Sequence, residues 1–349
     1  MSISVESLKE HDESDVENFI LSQPTGMFYG SLKYRNLLKS FLEAQDMYLV
    51  AKNGSGAIVG VLPAFMHASG SSKPVMNSLP FFGSHGGAIA DNIDVKRLLV
   101  ERLHTIAKDN DCTSITIITS PSETNLDVYE TGSGGLFRDE RIGQISELVE
   151  PGVDAHATVM QMIPSKNRNM VRKAQKSGVS VSKDRFPGMF DFLYRVHEAN
   201  MNDIGGTSKP RHFFELVDEI YDYGDDYQIF TGWVDGTPVA AMLLFYYKSF
   251  VEYFTPVILN DYRSFQPLSL LIYQGMVDAA EAGRKYWNWG GTWKQQVGVY
   301  RFKKSWGAID FPYQYFTNVF DTNILNTPKD DILRKYPYFY VLPFADLES

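Results

Sequence analysis

"YQIFTGWVDGTPVAAMLLFYY", residues 227–247, reads as a strand, an Asp-Gly turn at Asp235 and Gly236, and a second strand. "MYLVAKNGSGAIVGVLPAFMH", residues 47–67, repeats that order around a glycine-rich turn. The repetition extends outward in both directions. Two helix-like stretches precede each hairpin, 12–22 and 31–43 before the first, 188–201 and 210–223 before the second. A helix and then a strand follow each: "DVKRLLVERLHTIAKDND" runs into "CTSITIITS", and "PLSLLIYQGMVDAAEAG" into "RKYWNWGG". In the last of these helices Leu268, Leu271, Ile272, Met276, Ala279 and Ala280 keep helical spacing, Pro267 suits the first turn and Gly283 the residue just past the end. The chain is therefore expected to be a duplicated α/β (α+β) unit, with domains at 1–155 and 156–349.

The 349 residues, 44% hydrophobic and 14% aromatic, suffice for a full core. The longest apolar runs are about half of what a membrane span needs, and "MSISVESLKEHDESD" lacks the features of a signal peptide, so a cytoplasmic location is expected. The single cysteine, Cys112, excludes an internal disulfide and reads as a small core residue. His67, His197 and His212 lack ligand spacing, and no metal is expected. A net charge of −9 argues against DNA and against broad nucleic-acid binding, leaving room for a local basic site. No P-loop, dinucleotide fingerprint or nucleophile elbow is present.

That local site is "NRNMVRKAQKSGVSV", residues 167–181. Five cations fall between Lys166 and Lys176 with no carboxylate among them. Ser165 is expected to cap a helix that Gly178 ends. On it Arg168, Arg172 and Lys176 form one stripe, with Lys173 beside them, while Met170, Val171 and Ala174 face away. A charge run is commonly a solvated face; here the missing counter-charge favours a ligand that brings phosphates. "VYRFKKSWG" (299–307) adds a second basic group. Read as a strand, it places Arg301 and Lys303 on one face and Phe302 and Lys304 on the other. "YWNWGG" (286–291) ends in Gly290 and Gly291, which let backbone approach a ligand, and Trp287, Trp289 and Trp293 can stack on a sugar or pack in a core. Glu252, alternating with Phe250 and Phe254, is a candidate base whose environment would raise its pKa. His85, among glycines in a loop, can touch substrate.

The element order resembles the Gcn5-related acetyltransferase (GNAT) fold, and two such units in one chain resemble the FemAB-like transferases. The likeness is carried by "NRNMVRKAQKSGVSV", by "YRSFQPLSLLIYQGMVDAAEAGRKYWNWGG" (262–291), by "GVYRFKKSWG" (298–307) and by the loop "LPFFGSHGGAIAD" (79–91). It implies tandem GNAT-like domains, each a mixed, mostly antiparallel sheet flanked by helices. It implies an N-acyltransferase moving an aminoacyl group from aminoacyl-tRNA, or another acyl group, to an amine of a nucleotide-linked or lipid-linked cell-envelope or polysaccharide precursor. Phe302 and Lys303 then lie at the acyl-donor site, where an ammonium would meet the charge that develops on carbonyl oxygen and leaving group. The basic helix, Arg263 and Arg301 would hold substrate. No cofactor is expected to be tightly bound. Family members often carry Asp where this chain has Asn288, which puts a base at that position in doubt.

Three readings follow from these residues. Acyl-CoA enzymes of the fold carry a glycine-containing pyrophosphate turn where this chain has "YRSFQPLS", which weighs against standard CoA binding. The acidic balance and the lack of the long coiled-coil arm of some members weigh against tRNA, so the donor stays open between the two. An acyl-CoA-dependent acetyltransferase acting on an amino sugar is the second reading. A non-catalytic glycan-precursor-binding protein is the third. The aromatic tail, "FPYQYFTNVF" (311–320) and "YPYFYVLPF" (336–344), reads as sheet core or as a peripheral membrane contact.

Overall fold

The computed structural model describes residues 2–81, 85–121, 123–131, 134–148 and 154–343. Residues 82–84, within the glycine loop, and Phe344, in the aromatic tail, lie outside the described residues. The chain forms two compact units, one of residues 1–142 with 311–349, the other of residues 143–310. The single boundary expected near 155 is thus replaced by two crossings, one within each of two long strands.

The first unit contains β1 (Ser4–Ser7), α1 (Glu13–Ser22), α2 (Leu32–Phe41), β2 (Gln45–Asp46), β3 (Leu49–Lys52), β4 (Ile58–Leu62), β5 (Phe65–His67), β6 (Val75–Asn77), β7 (Ile89–Ala90), α3 (Ile93–Asp109), β8 (Ser114–Ile118) and the first part of β9 (Gly135–Glu147). β1, β3, β4 and β7 form an antiparallel sheet. The β3–β4 turn is shaped by Asn53, whose side chain accepts from the amides of Ser55 and Ala57, and by Gly56 at φ +85°. Asn92 caps α3 by accepting from the amides of Asp94 and Val95. Val95, Leu99, Val100 and Leu103 bury the inner face of α3 against the sheet. Gly60 permits that approach, since a Cβ there would sit 2.8 Å from Val95 Cγ1.

A second group of strands runs β8, β6, β5, β2, with β6 parallel to β8 and the others antiparallel. β15 (Ile309–Val319) joins β8 antiparallel through residues 315–319. The tail that sequence grouping assigned to the second domain therefore belongs to the first unit. Tyr340 locks it further: its amide donates to Asn77 Oδ1 at 2.7 Å, and Asn77 Nδ2 donates back to the Tyr340 carbonyl at 2.8 Å. Tyr313, Phe316, Tyr336, Phe339, Val341 and Leu342 are all buried, which settles the tail as core rather than as a membrane-contacting surface. Cys112 is buried as expected, and burial pushes its thiol up to about 12.

The second unit contains the end of β9, α4 (Ala155–Met162), α5 (Ser165–Lys176), β10 (Ser180–Ser182), α6 (Met189–Asp203), α7 (Arg211–Ile220), β11 (Tyr227–Val234), β12 (Thr237–Tyr247), β13 (Phe250–Ile258), α8 (Pro267–Glu281), β14 (Tyr286–Thr292) and α9 (Val297–Lys304). The chain closes with α10 (Lys329–Lys335) in the first unit. β10, β11, β12 and β13 pair antiparallel in sequence order. Asp235 and Gly236 sit at φ +48° and +75°, the left-handed pair that a two-residue hairpin turn demands. β14 pairs parallel to β13, and a parallel neighbour requires a crossover, which α8 supplies. Pro267 opens α8 and Gly283, at φ +76°, follows it. Leu270, Leu271, Met276, Ala279 and Ala280 bury α8 in the core of this unit, and Gly275 lets it close on Trp287 and Met242. α5 begins at Ser165 itself, with Pro164 rather than Ser165 in the capping position.

Candidate active site

The parallel strands β13 and β14 pair over three residues, ending at Glu252 opposite Asn288. Both side chains are buried. Asn288 Nδ2 donates to Glu252 Oε2 at 2.8 Å, and Asn288 Oδ1 accepts from the Gly290 amide at 2.9 Å. An amide can perform both roles at once, whereas an ionised aspartate can only accept. The departure from Asp at this position thus gives Glu252 a donor and fixes the turn at Gly290, which lies at φ +72°.

Past that turn the chain reverses into α9. The strand expected over 299–307 is a helix: Tyr300 N donates to the Gln296 carbonyl, Ser305 N to that of Arg301, and Gly307 follows at φ +78°. Helical turning separates Arg301 from Lys303, which the strand reading had paired, and drives only Lys303 inward. Three cations in the last turn of α9, Arg301, Lys303 and Lys304, suit the negative end of its dipole. Lys303 is 6% exposed. Its Nζ donates to the carbonyls of Gly290 and Gly291 at 3.2 and 3.0 Å and to Thr292 Oγ1 at 2.7 Å. The two glycines of "YWNWGG" therefore serve the site through their carbonyl oxygens.

Among the described residues no carboxylate pairs with Lys303, and burial pulls its ammonium down to about 7. A lysine so placed is divided between charged and neutral forms near neutral pH, able both to stabilise an anion and to move a proton. A polar chain holds it in place. Thr292 Oγ1 donates to Gln144 Oε1 at 3.1 Å, Gln144 Nε2 donates to Asp310 Oδ1 at 3.3 Å, and the Tyr300 hydroxyl donates to Asp310 Oδ2 at 2.7 Å. The Asp310 carboxylate keeps the Tyr300 hydroxyl above its ordinary pKa.

Trp289, expected to stack on a ligand, is buried instead. Its Nε1 donates to Ser146 Oγ at 2.8 Å, and its ring meets Tyr253, Trp287, Trp306 and Phe302. Trp287 is core, as its strand position suggests. Phe302 remains 38% exposed, with its ring edge-on to Trp289.

The basic helix divides by role. Arg168 Nη1 donates to the carbonyls of Met160 and Ile163 at 3.3 and 2.6 Å, so this guanidinium ties the end of α4. Arg172, Lys173 and Lys176 are exposed and form no ion pair among the described residues. Buried Asn167, in the same motif, donates to the carbonyl and hydroxyl oxygens of Ser305 at 3.0 and 3.1 Å, fastening α5 to the residue after α9. Arg263 is exposed and bonds Asn260 Oδ1 at 2.7 Å; Arg301 is exposed on α9. Ahead of α8, Gln266 takes the left-handed conformation at φ +61°, and Pro267 removes one backbone donor.

His85 belongs to the first unit. It is buried between the rings of Tyr29 and Tyr313, at 5.3 and 5.7 Å, and burial lowers its pKa to about 3. It lines a small cavity of about 40 Å³ with Lys96 and Glu123, room for a few water molecules.

Thr292, Gln144 and Asn167 went unnoticed in the sequence. Only Asn167 carried a signal, its place inside the basic motif.

The family model described as an acetyltransferase (GNAT) domain matches residues 165–304, from the first residue of α5 to the last of α9. Over these residues the chain is similar to a GNAT acetyltransferase domain. The GNAT domain thus holds Glu252, Asn288 and Lys303 together. The chain as a whole has a tandem GNAT fold. It is similar to the crystal structure of FemX at 15% identity and a TM-score of 0.70, covering 93% of this chain and 99% of that one. It is similar to the C-terminal domain of a putative lysylphosphatidylglycerol synthetase from Agrobacterium fabrum at 11% identity and 0.56, covering 93% and 96%. A tandem GNAT protein from the clavulanic acid biosynthesis pathway matches at 10% identity and 0.52, covering 91% and 98%. No curated protein sequence matches the chain.

Proposed function

We propose that the GNAT domain performs N-acyl transfer of the FemAB type. An amine of a nucleotide-linked or lipid-linked envelope precursor attacks the ester carbonyl of an aminoacyl-tRNA. A C–N bond forms, the C–O bond to the ribose breaks, the amine loses a proton to a base, and the departing oxygen gains one from an acid. The Lys303 ammonium meets the negative charge on the carbonyl oxygen and then on the leaving group; its poise near 7 also fits it to deliver that proton. Phe302, half exposed beside it, would flank the donor. Glu252, held by Asn288, is the candidate acceptor of the amine proton. Arg172, Lys173 and Lys176 are the cations free to meet a diphosphate, with Arg263 and Arg301 as further candidates.

The observation that carries this reading is Lys303 itself. A lysine enclosed by three neutral oxygens, with no carboxylate beside it, is unfavourable for stability, and such groups cluster where chemistry needs them. Acyl-CoA is the second reading of the donor. The family description favours it, while the glycine-free turn and Pro267 ahead of α8 favour the ester.

The test is product formation by mass spectrometry, with aminoacyl-tRNA or acetyl-CoA offered against a UDP-linked amino sugar or a UDP-linked peptide. Acylated product from aminoacyl-tRNA alone, abolished in Lys303→Met, is the expected result. Product from acetyl-CoA alone would transfer the reading to the thioester donor, and no product with either would overturn it.

A further inference from the structure

With the aromatic tail buried, the exposed large apolar residues among the described residues are scattered singly, Ile204 and Leu325 among them, except for one group close in sequence. Trp293, Val297, Val299 and Phe302 are 38 to 49% exposed, and Ile309, just beyond α9, is 48% exposed. Between them stand exposed Lys294, Arg301 and Lys304. From Ala282 to Ile309 the sequence contains no Asp or Glu at all. The nearest acid in sequence, Asp310, meets Lys304 at 3.5 Å.

The helix sorts these residues. Lys303 turns inward; Val297, Arg301 and Lys304 share one outer stripe at i, i+4 and i+7, and Val299 and Phe302 form the next at i, i+3. Apolar residues exposed singly are ordinary on a soluble surface, but a cluster of Trp, Val and Phe threaded with Lys and Arg matches a segment lying in a lipid headgroup layer. A nucleic acid strand would stack on Trp293 and Phe302, yet it would leave both valines and Ile309 in water, since an aliphatic side chain offers no π-face.

We propose that residues 293–309 form a membrane-docking surface that seats α9 on an anionic lipid bilayer. Among the described residues no helix is long and apolar enough to cross a membrane, so the contact is peripheral. Docking there would bring the outer face of the helix whose inner face carries Lys303 to the headgroup layer, which deepens the proposed function by selecting a lipid-linked acceptor. Phe302 and Arg301 lie on this surface and also among the residues assigned to substrate, so the test varies Val297 and Val299, which the proposed function does not use, and either reading can fail alone.

Flotation with vesicles of phosphatidylcholine, alone or mixed with phosphatidylglycerol, tests it on the full chain. Wild type is expected to float with the mixed vesicles, and a Val297→Glu, Val299→Glu variant with an unchanged melting curve is expected to partition about tenfold more weakly. If that variant melts early, quenching of Trp fluorescence by brominated lipid in wild type, lost in Trp293→Phe, reports the same contact. Absence of wild-type flotation would overturn the proposal, as would undiminished flotation of the folded double variant. Retention of a single-stranded oligoribonucleotide without flotation would assign the surface to nucleic acid.

Discussion

Asn288 Nδ2 donates to Glu252 Oε2 across the last rung of the β13–β14 pair, at 2.8 Å and out of reach of solvent. Asn288→Asp would set two carboxyls in contact there. One must hold a proton, so its pKa rises in the folded state and the fold loses stability as pH climbs through the carboxylate range. Denaturant titrations should show a loss of about 1–3 kcal/mol at neutral pH that shrinks in acid.

Lys303→Met should lower acyl transfer by about a hundredfold or more, the scale seen when a preorganised donor to a developing oxyanion is lost. It should also raise stability. The folded-state pKa of Lys303, about 7, lies below the ordinary lysine value of 10.5. Burial of the ammonium therefore penalises the wild type most below about pH 7. Wild-type stability climbs between those two values, so the advantage of the methionine variant narrows as pH rises. Melting curves across that interval check the sign.

Thr292→Val removes one of three acceptors of the Lys303 ammonium, and the one at 2.7 Å. The neutral form gains, so the alkaline limb of the pH–rate profile should move to lower pH while KM changes little. A merely structural role for Thr292 would lower Tm without moving that limb.

Arg168→Ala should destabilise by about 1–2 kcal/mol, because its guanidinium serves two backbone carbonyls at the end of α4. Arg172→Ala and Lys176→Ala, on the exposed face of the same helix, should change stability by no more than about half a kcal/mol and weaken binding of a UDP-linked ligand. Thermal-shift titrations separate the two behaviours.

Gly275→Ala should destabilise despite improved helix propensity. Its Cβ would lie 2.9 Å from Met242 Cε and 3.0 Å from Trp287 Cη2, and overpacking of this kind costs about 1–3 kcal/mol against a propensity gain of at most about 1.

The duplicated order of elements was legible because local signals wrote it: Asp235-Gly236 for the hairpin, Pro267 and Gly283 for α8, and the helical spacing of Leu271, Met276 and Ala280. Each is a short-range rule, and each appears in the structure where it was expected. What was not legible depends on residues far apart in sequence. The sequence of α9 reads as a strand because Val299, Tyr300 and Phe302 favour strands intrinsically, while the pull of Gly290, Gly291 and Thr292 on Lys303 is tertiary. Arg168 reads as one of a cationic stripe, and its carbonyl partners at the end of α4 are contacts a sequence does not display. Lys303 itself was found by resemblance and basic context; its burial, which gives it its chemistry, had no local sign.

The two crossings within β9 and β15 bear on how the protein is made. Gln144 and Asp310, at the two ends of the second unit, lie within a hydrogen bond of each other, so the unit that contains the GNAT domain is a closed loop of chain with its ends together. Emerging from a ribosome, that unit has all its residues before the first one does. The first unit waits for β15 and for Tyr340 to reach β8 and Asn77. A C-terminal truncation would therefore injure the N-terminal half of the protein, and a nascent chain from which residues up to about 310 have just emerged would have its second unit complete and its opening residues still unfinished.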